Sequence, residues 1–229
     1  MDVTSLYITD NNFDKKVKEL KTMLRLRMNG ETSSQMNKRN LKYTINYGVA
    51  LPHIKEIASR VNFTHEECKK LWLMNIRETM LLACMLMPSE KATTQELLTW
   101  IEKIQTPDMA EQASFFLFSR VDNAEEIALK AIELQSEYAL ATAYFTLGRA
   151  LQTDKTIADN TLQEALKTAL KTNHYNSAEL RGLSLLMRQC IRKRPQLNSD
   201  IDEILKHLET INSPSSQAVI YEVKIEKEL

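Results

Sequence analysis

Glycine is scarce in this sequence, at 4 of 229 residues. That nearly excludes the phosphate-cradling loops of nucleotide-binding enzymes, which need several glycines in one turn. Proline is almost as rare, at 5, which suits helices joined by short turns. The three cysteines, Cys68, Cys84 and Cys190, form no CxxC spacing and sit among apolar helical residues. They read as reduced core thiols, and the compartment expected from them is the cytoplasm. His53, His65, His174 and His207 are scattered at no metal-ligand spacing, so neither a metal nor a cofactor is expected. No apolar run approaches the roughly 18 residues that cross a bilayer, and no membrane association is expected. Met1-Asp2-Val3-Thr4-Ser5 lacks the basic and apolar start of a secretory signal. A nucleophile elbow is missing too, so any enzyme chemistry must come from carboxylates, arginines and a few aromatics.

Charge is balanced overall, 30 Lys and Arg against 30 Asp and Glu, but unevenly spread. Residues 1–70 carry 13 basic against 8 acidic side chains, residues 88–140 carry 4 against 10, and residues 171–195 carry 6 against 1. Basic ends around an acidic middle suit a grip on a polyanion at two places, or simply solvated faces of differing sign.

Three helix-start signatures recur: Thr64 with Glu67, Thr93 with Glu96, and Asp122 with Glu125, 29 residues apart. In each, a side-chain oxygen accepts from a first-turn N–H and the glutamate reaches back. The spacing holds two short helices and two turns, and its repetition predicts an all-α solenoid, a right-handed superhelical stack of helix pairs in one domain. The stripe Phe13, Val17, Leu20, Leu24, Met28 predicts a first helix closed by Gly30, and Thr32 offers a cap for a short second one. Residues 40–49 read as a connector, with Gly48 marking a turn and Pro52 opening the next helix. Helix pairs are predicted over 65–75 and 76–87, 94–104 and 107–119, 123–134 and 137–151 (the second capped by Ser136), and 155–171 and 177–194, with a last helix over 200–210. The segments 3–8 and 219–225 alternate as strands do, and the tail from Asn212 has no assigned structure.

Two constellations carry candidate chemistry. Arg181, Arg188 and Arg192 lie within about 20° of one line on a helix, with Lys193 and Arg194 beyond them. Such a row holds successive phosphates, or it is a solvated face with cations at a helix C-terminus. In Thr106-Pro107-Asp108-Met109-Ala110-Glu111, both carboxylates fall in the first turns of a helix. A carboxylate there stabilises a cationic transition state, or it simply complements the helix dipole. Trp72, Trp100, Phe115, Phe116 and Phe118 lie on apolar stripes and are expected in the core.

Met28-Asn29-Gly30 with Asn40-Leu41-Lys42-Tyr43-Thr44-Ile45-Asn46-Tyr47-Gly48-Val49-Ala50-Leu51-Pro52 forms one distinctive element, and Leu71-Trp72-Leu73-Met74-Asn75-Ile76-Arg77-Glu78-Thr79-Met80-Leu81-Leu82-Ala83 forms another. Together they resemble the DNA alkylation repair glycosylases built from HEAT-like helical repeats, over about residues 10–210. The resemblance implies a C-shaped solenoid holding duplex DNA and excising purines alkylated at N3 or N7. It implies that Glu111 stands at the catalytic carboxylate's position, with Asp108 as a weaker substitute. Arg188 would match a DNA-contacting arginine, and Arg181, Arg192 and Lys193 would hold further phosphates. Pro107 and Leu185 stand where the family places tryptophans. The competing expectation is a non-catalytic repeat scaffold that binds DNA structure or protein partners.

Overall fold

The computed structural model describes residues 11–38, 41 and 43–228, in which thirteen α-helices follow one another and no strand is formed. The strand-like segment 3–8 lies outside the described residues. The described chain divides into two compact units, one up to Met87 and one from Pro88.

The first unit holds α1 (Asn11–Arg25), α2 (Gly30–Lys38), α3 (Leu51–Ala58), α4 (His65–Leu73) and α5 (Arg77–Leu86). Leu20, Leu24, Ile54, Ile57, Leu71 and Trp72 are buried in its core. Thr64 and Glu67 form the expected reciprocal cap of α4: Thr64 Oγ1 accepts from Glu67 N–H and the Glu67 carboxylate accepts from Thr64 N–H at 2.7 Å. Asn29, not Thr32, caps α2, its side chain accepting from Thr32 N–H at 3.0 Å.

The two distinctive sequence elements lock into each other within this unit. Glu78, fully buried at the start of α5, accepts from Tyr47 N–H at 3.0 Å and Val49 N–H at 3.2 Å. Buried Arg77 donates through its side chain to Val49 O and through its backbone N–H to Ile45 O. Asn29 N–H closes the other side on Tyr47 O at 2.9 Å. Gly48 has φ +68°, and a Cβ there would stand 2.2 Å from Asn29 O, so no other residue fits between the two sides of this clamp. These residues are a scaffold for the connector.

The second unit holds α6 (Thr94–Glu102), α7 (Pro107–Ala113), α8 (Ala124–Glu133), α9 (Ala139–Gln152), α10 (Asp159–Lys171), α11 (Ser177–Lys193), α12 (Asn198–Ile211) and α13 (Pro214–Glu228). They form two layers. Helices α6, α8, α10 and α12 pack in succession in one, and α7, α9, α11 and α13 in the other. At α6 the threonine half of the expected cap is present, with Thr93 Oγ1 accepting from Glu96 N–H. The third signature is not a cap: α8 follows Asn123 and has no side-chain cap. Glu125 instead reaches the next helix of its layer, accepting from Ala158 N–H at 2.7 Å and from Thr161 Oγ1 at the start of α10. Asn176, which caps α11 with Glu179, also donates to Glu137 O ahead of α9. Ser136 does not cap α9; its hydroxyl is buried without a hydrogen-bond partner.

The segment 219–225 is helix, not strand. Val219, Ile220, Val223 and Glu226 form the buried stripe of α13, while Tyr221 and Ile225, which complete the alternation, face outward. Asn212 in the left-handed conformation ends α12, and Ser213 opens α13, exchanging hydrogen bonds with Ser216. Pro214 follows that cap at the first helical position, as its fixed φ favours. The tail is therefore the second helix of a last pair with α12.

Candidate nucleic-acid interface

One layer of the second unit carries the candidate site, with each of its four helices contributing. Helix α7 starts at Thr106, whose Oγ1 accepts from Met109 N–H, with Pro107 following. Its end widens into a π-helical turn, Ser114–Phe118, in which Ser119 N–H reaches back to Ser114 O. The wide turn separates three phenylalanines. Phe116 and Phe118 are buried as expected, but Phe115 is 39% exposed and lies beneath the Arg149 guanidinium at 5.1 Å. Its expected place in the core is therefore corrected.

Helices α9 and α11 touch closely because glycines stand at their crossing. A Cβ on Gly148 would come within 2.9 Å of Leu185, and one on Gly182 within 3.0 Å of Tyr144. The close approach brings Arg149 from α9 beside Arg181 and Arg188 from α11. These three, with Glu111, Phe145, Leu185 and Glu222, line a cleft of about 190 Å³.

Glu111 faces two guanidiniums, 3.6 Å from Arg149 and 3.9 Å from Arg181. Both distances exceed hydrogen-bond length, so neither guanidinium has its donors satisfied by this carboxylate. The Nε–H groups of Arg149 and Arg188 are buried without a partner. Glu222 accepts from Ser184 Oγ at 2.6 Å at the cleft's edge. Three cations against two carboxylates leave the cleft positive. This arrangement favours an oxyanion.

The predicted residues fall into different situations. Glu111, Arg181 and Arg188 come together in the cleft, while Asp108, one turn before Glu111, does not line it. Arg192 is held by Glu226 through two hydrogen bonds of 2.6 and 2.7 Å. Lys193 turns to Asp154 at 2.6 Å and to Leu151 O. Arg194 pairs with Asp159 at 3.0 Å. Sequence reasoning missed Arg149, whose only signal is its place four residues after buried Phe145 on the same helix. It missed Glu222 because the strand reading hid the helix that carries it.

Among the described residues, no group of three His, Cys, Asp or Glu side chains is placed to hold a metal. No helix there is long and apolar enough to cross a membrane. Burial pushes the Cys190 thiol up to about 12 and Cys84 higher still, so neither is a ready nucleophile.

Helix pairs stacked in two layers define an all-helical, HEAT-like repeat protein, and its comparison with known proteins fits this. The chain is similar to a solved structure from a family of proteins related to the HEAT-like repeat DNA glycosylases with affinity for branched DNA structures. The two share 14% identity with a TM-score of 0.74, over 92% of this chain and 94% of that one. Residues 20–141 match the family of DNA alkylation repair enzymes, and the chain belongs to that family. No curated protein matches it. The matched segment includes the connector clamp and Glu111 but ends before Arg149, Arg181 and Arg188.

Proposed function

We propose that this protein binds DNA by its backbone, with a phosphate seated in the cleft between Arg149, Arg181 and Arg188, and that it recognises DNA structure. The observation that carries this is the convergence of three guanidiniums from two helices on one cleft. Guanidiniums hold phosphate oxygens through paired, charge-assisted hydrogen bonds. The affinity for branched DNA described for the structural relative makes a four-way junction the first DNA to try.

Base excision is the second reading, favoured by the place of Glu111 in the family resemblance. A carboxylate stabilises an oxocarbenium ion through its uncompensated negative charge. Two guanidiniums within 4 Å of Glu111 offset that charge, which is why the binding reading ranks first.

Binding of labelled junction and linear duplex, measured against salt concentration, tests the proposal. Arg149→Ala, Arg181→Ala and Arg188→Ala should each lower the salt slope by about one unit and weaken binding of every sequence. Unchanged slopes in all three would remove the cleft from the interface. Release of free base from duplex containing N7-methylguanine tests the second reading. Release by the wild type and not by Glu111→Gln would make the protein a glycosylase working through that carboxylate.

A further inference from the structure

Helix α13 lays two carboxylates against the arginine row of α11. Glu226 takes Arg192 with both oxygens and is 8% exposed. Glu222, one turn earlier, stands at the edge of the cleft on Ser184. The helix is no loose tail: Val219, Ile220 and Val223 are buried, and Ser213 and Ser216 cap its start. Beyond Arg192, Lys193 and Arg194 are also claimed, by Asp154 and Asp159. The geometry therefore divides a continuous cationic row into an open part at the cleft and a neutralised part beyond it.

We infer that Glu222 and Glu226 determine which DNA this surface accepts, by preventing a continuous duplex backbone from running along α11. The inference rests on the phosphate-binding reading of the same cleft. Arg188 and Arg192 are one helical turn apart, about 6 Å along the axis. Were both free, they would hold neighbouring phosphates of one strand and favour any long duplex. With Glu226 on Arg192, a backbone following that track meets a carboxylate at its second contact. Only a phosphate that enters the cleft locally, at a bend, an end or a branch point, reaches the guanidiniums of Arg149, Arg181 and Arg188 without passing Glu226. The carboxylates thus suppress general affinity and leave the local contact.

Glu222→Gln, Glu226→Gln and the double variant retain side-chain volume and hydrogen-bonding capacity. Their binding to a four-way junction and to linear duplex of equal length is measured across a salt series, beside wild type and Arg188→Ala. The double variant should bind linear duplex about tenfold more tightly, with a salt slope steeper by one to two units, and lose its preference for the junction. Melting temperatures verify that α13 stays docked; where the double variant melts early, the single Glu222→Gln carries the test. Wild-type affinity, slope and preference in the glutamate variants, while Arg188→Ala loses binding, would overturn this inference and leave the cleft reading intact. Wild-type binding by Arg188→Ala, and by Arg149→Ala and Arg181→Ala beside it, would overturn the cleft reading itself.

Discussion

Glu78 in the first unit and Glu111 in the second are both glutamates near the start of a helix, and both are picked out by family resemblance. Their surroundings differ. Glu78 is fully buried, and its two oxygens accept from the backbone N–H groups of Tyr47 and Val49. Glu111 is about one-third exposed and meets its two arginines only at ion-pair distance. The first carboxylate has its hydrogen bonds filled by its own chain, so it has nothing to offer a ligand. The second faces two guanidiniums without a hydrogen bond of normal length to either. Burial with complete satisfaction marks a residue that builds the fold, and partial satisfaction in a cleft marks one that meets something else.

Stability separates the two most sharply. Glu78→Ala should cost about 3–5 kcal/mol, since it strands two backbone donors and leaves buried Arg77 beside an empty site. Glu111→Ala should stay within about 1 kcal/mol, as partly exposed ion pairs do. Denaturant unfolding of both variants decides this, and equal losses would erase the distinction. Gly48→Ala tests the same clamp from its other side. The strained φ and the collision with Asn29 O should lower stability by about 2–4 kcal/mol. A neutral result would mean that the connector yields easily.

Glu111→Gln should tighten DNA binding several-fold, because it removes a negative charge from a phosphate seat. Weaker binding would instead make the carboxylate a ligand contact. The smallest effect concerns pH. The hydrogen bonds from Arg192 hold the Glu226 carboxyl below the usual carboxylate range, against the opposing influence of burial. A depressed value means that its stabilisation is complete above the unfolded value, near 4.3, and is lost as pH falls through the folded one. Denaturant unfolding against pH checks this, and stability should fall below about pH 4.3 by more in wild type than in Glu226→Gln.

Much of the helix order is legible in the sequence because local rules decide it. Thr64, Thr93, Thr106 and Asn176 cap the helices that they precede. The reading fails where a residue serves a distant partner. Glu125 has the spacing of a capping box but serves α10, and Val219 to Ile225 alternate in composition while the neighbours in space select a helical stripe. The cleft was half legible. Glu111, Arg181 and Arg188 were in view, whereas Arg149 becomes part of the site only through the close packing of α9 on α11 at Gly148 and Gly182.

The caps that cross between pairs have a consequence for how this unit opens. Starting a helix is the costly step of making one, and at the start of α10 the Ala158 N–H and the Thr161 hydroxyl are held by a carboxylate on α8. Asn123 likewise reaches Thr94 at the start of α6, and Asn176 reaches the chain ahead of α9. Each such bond makes the nucleation of one helix depend on its neighbour being formed. Repeat proteins often fray one unit at a time from an end, yet here the Ala158 amide ahead of α10 should exchange with solvent only when its bond to α8 opens as well. From α6 to α11, the stack would melt as a block.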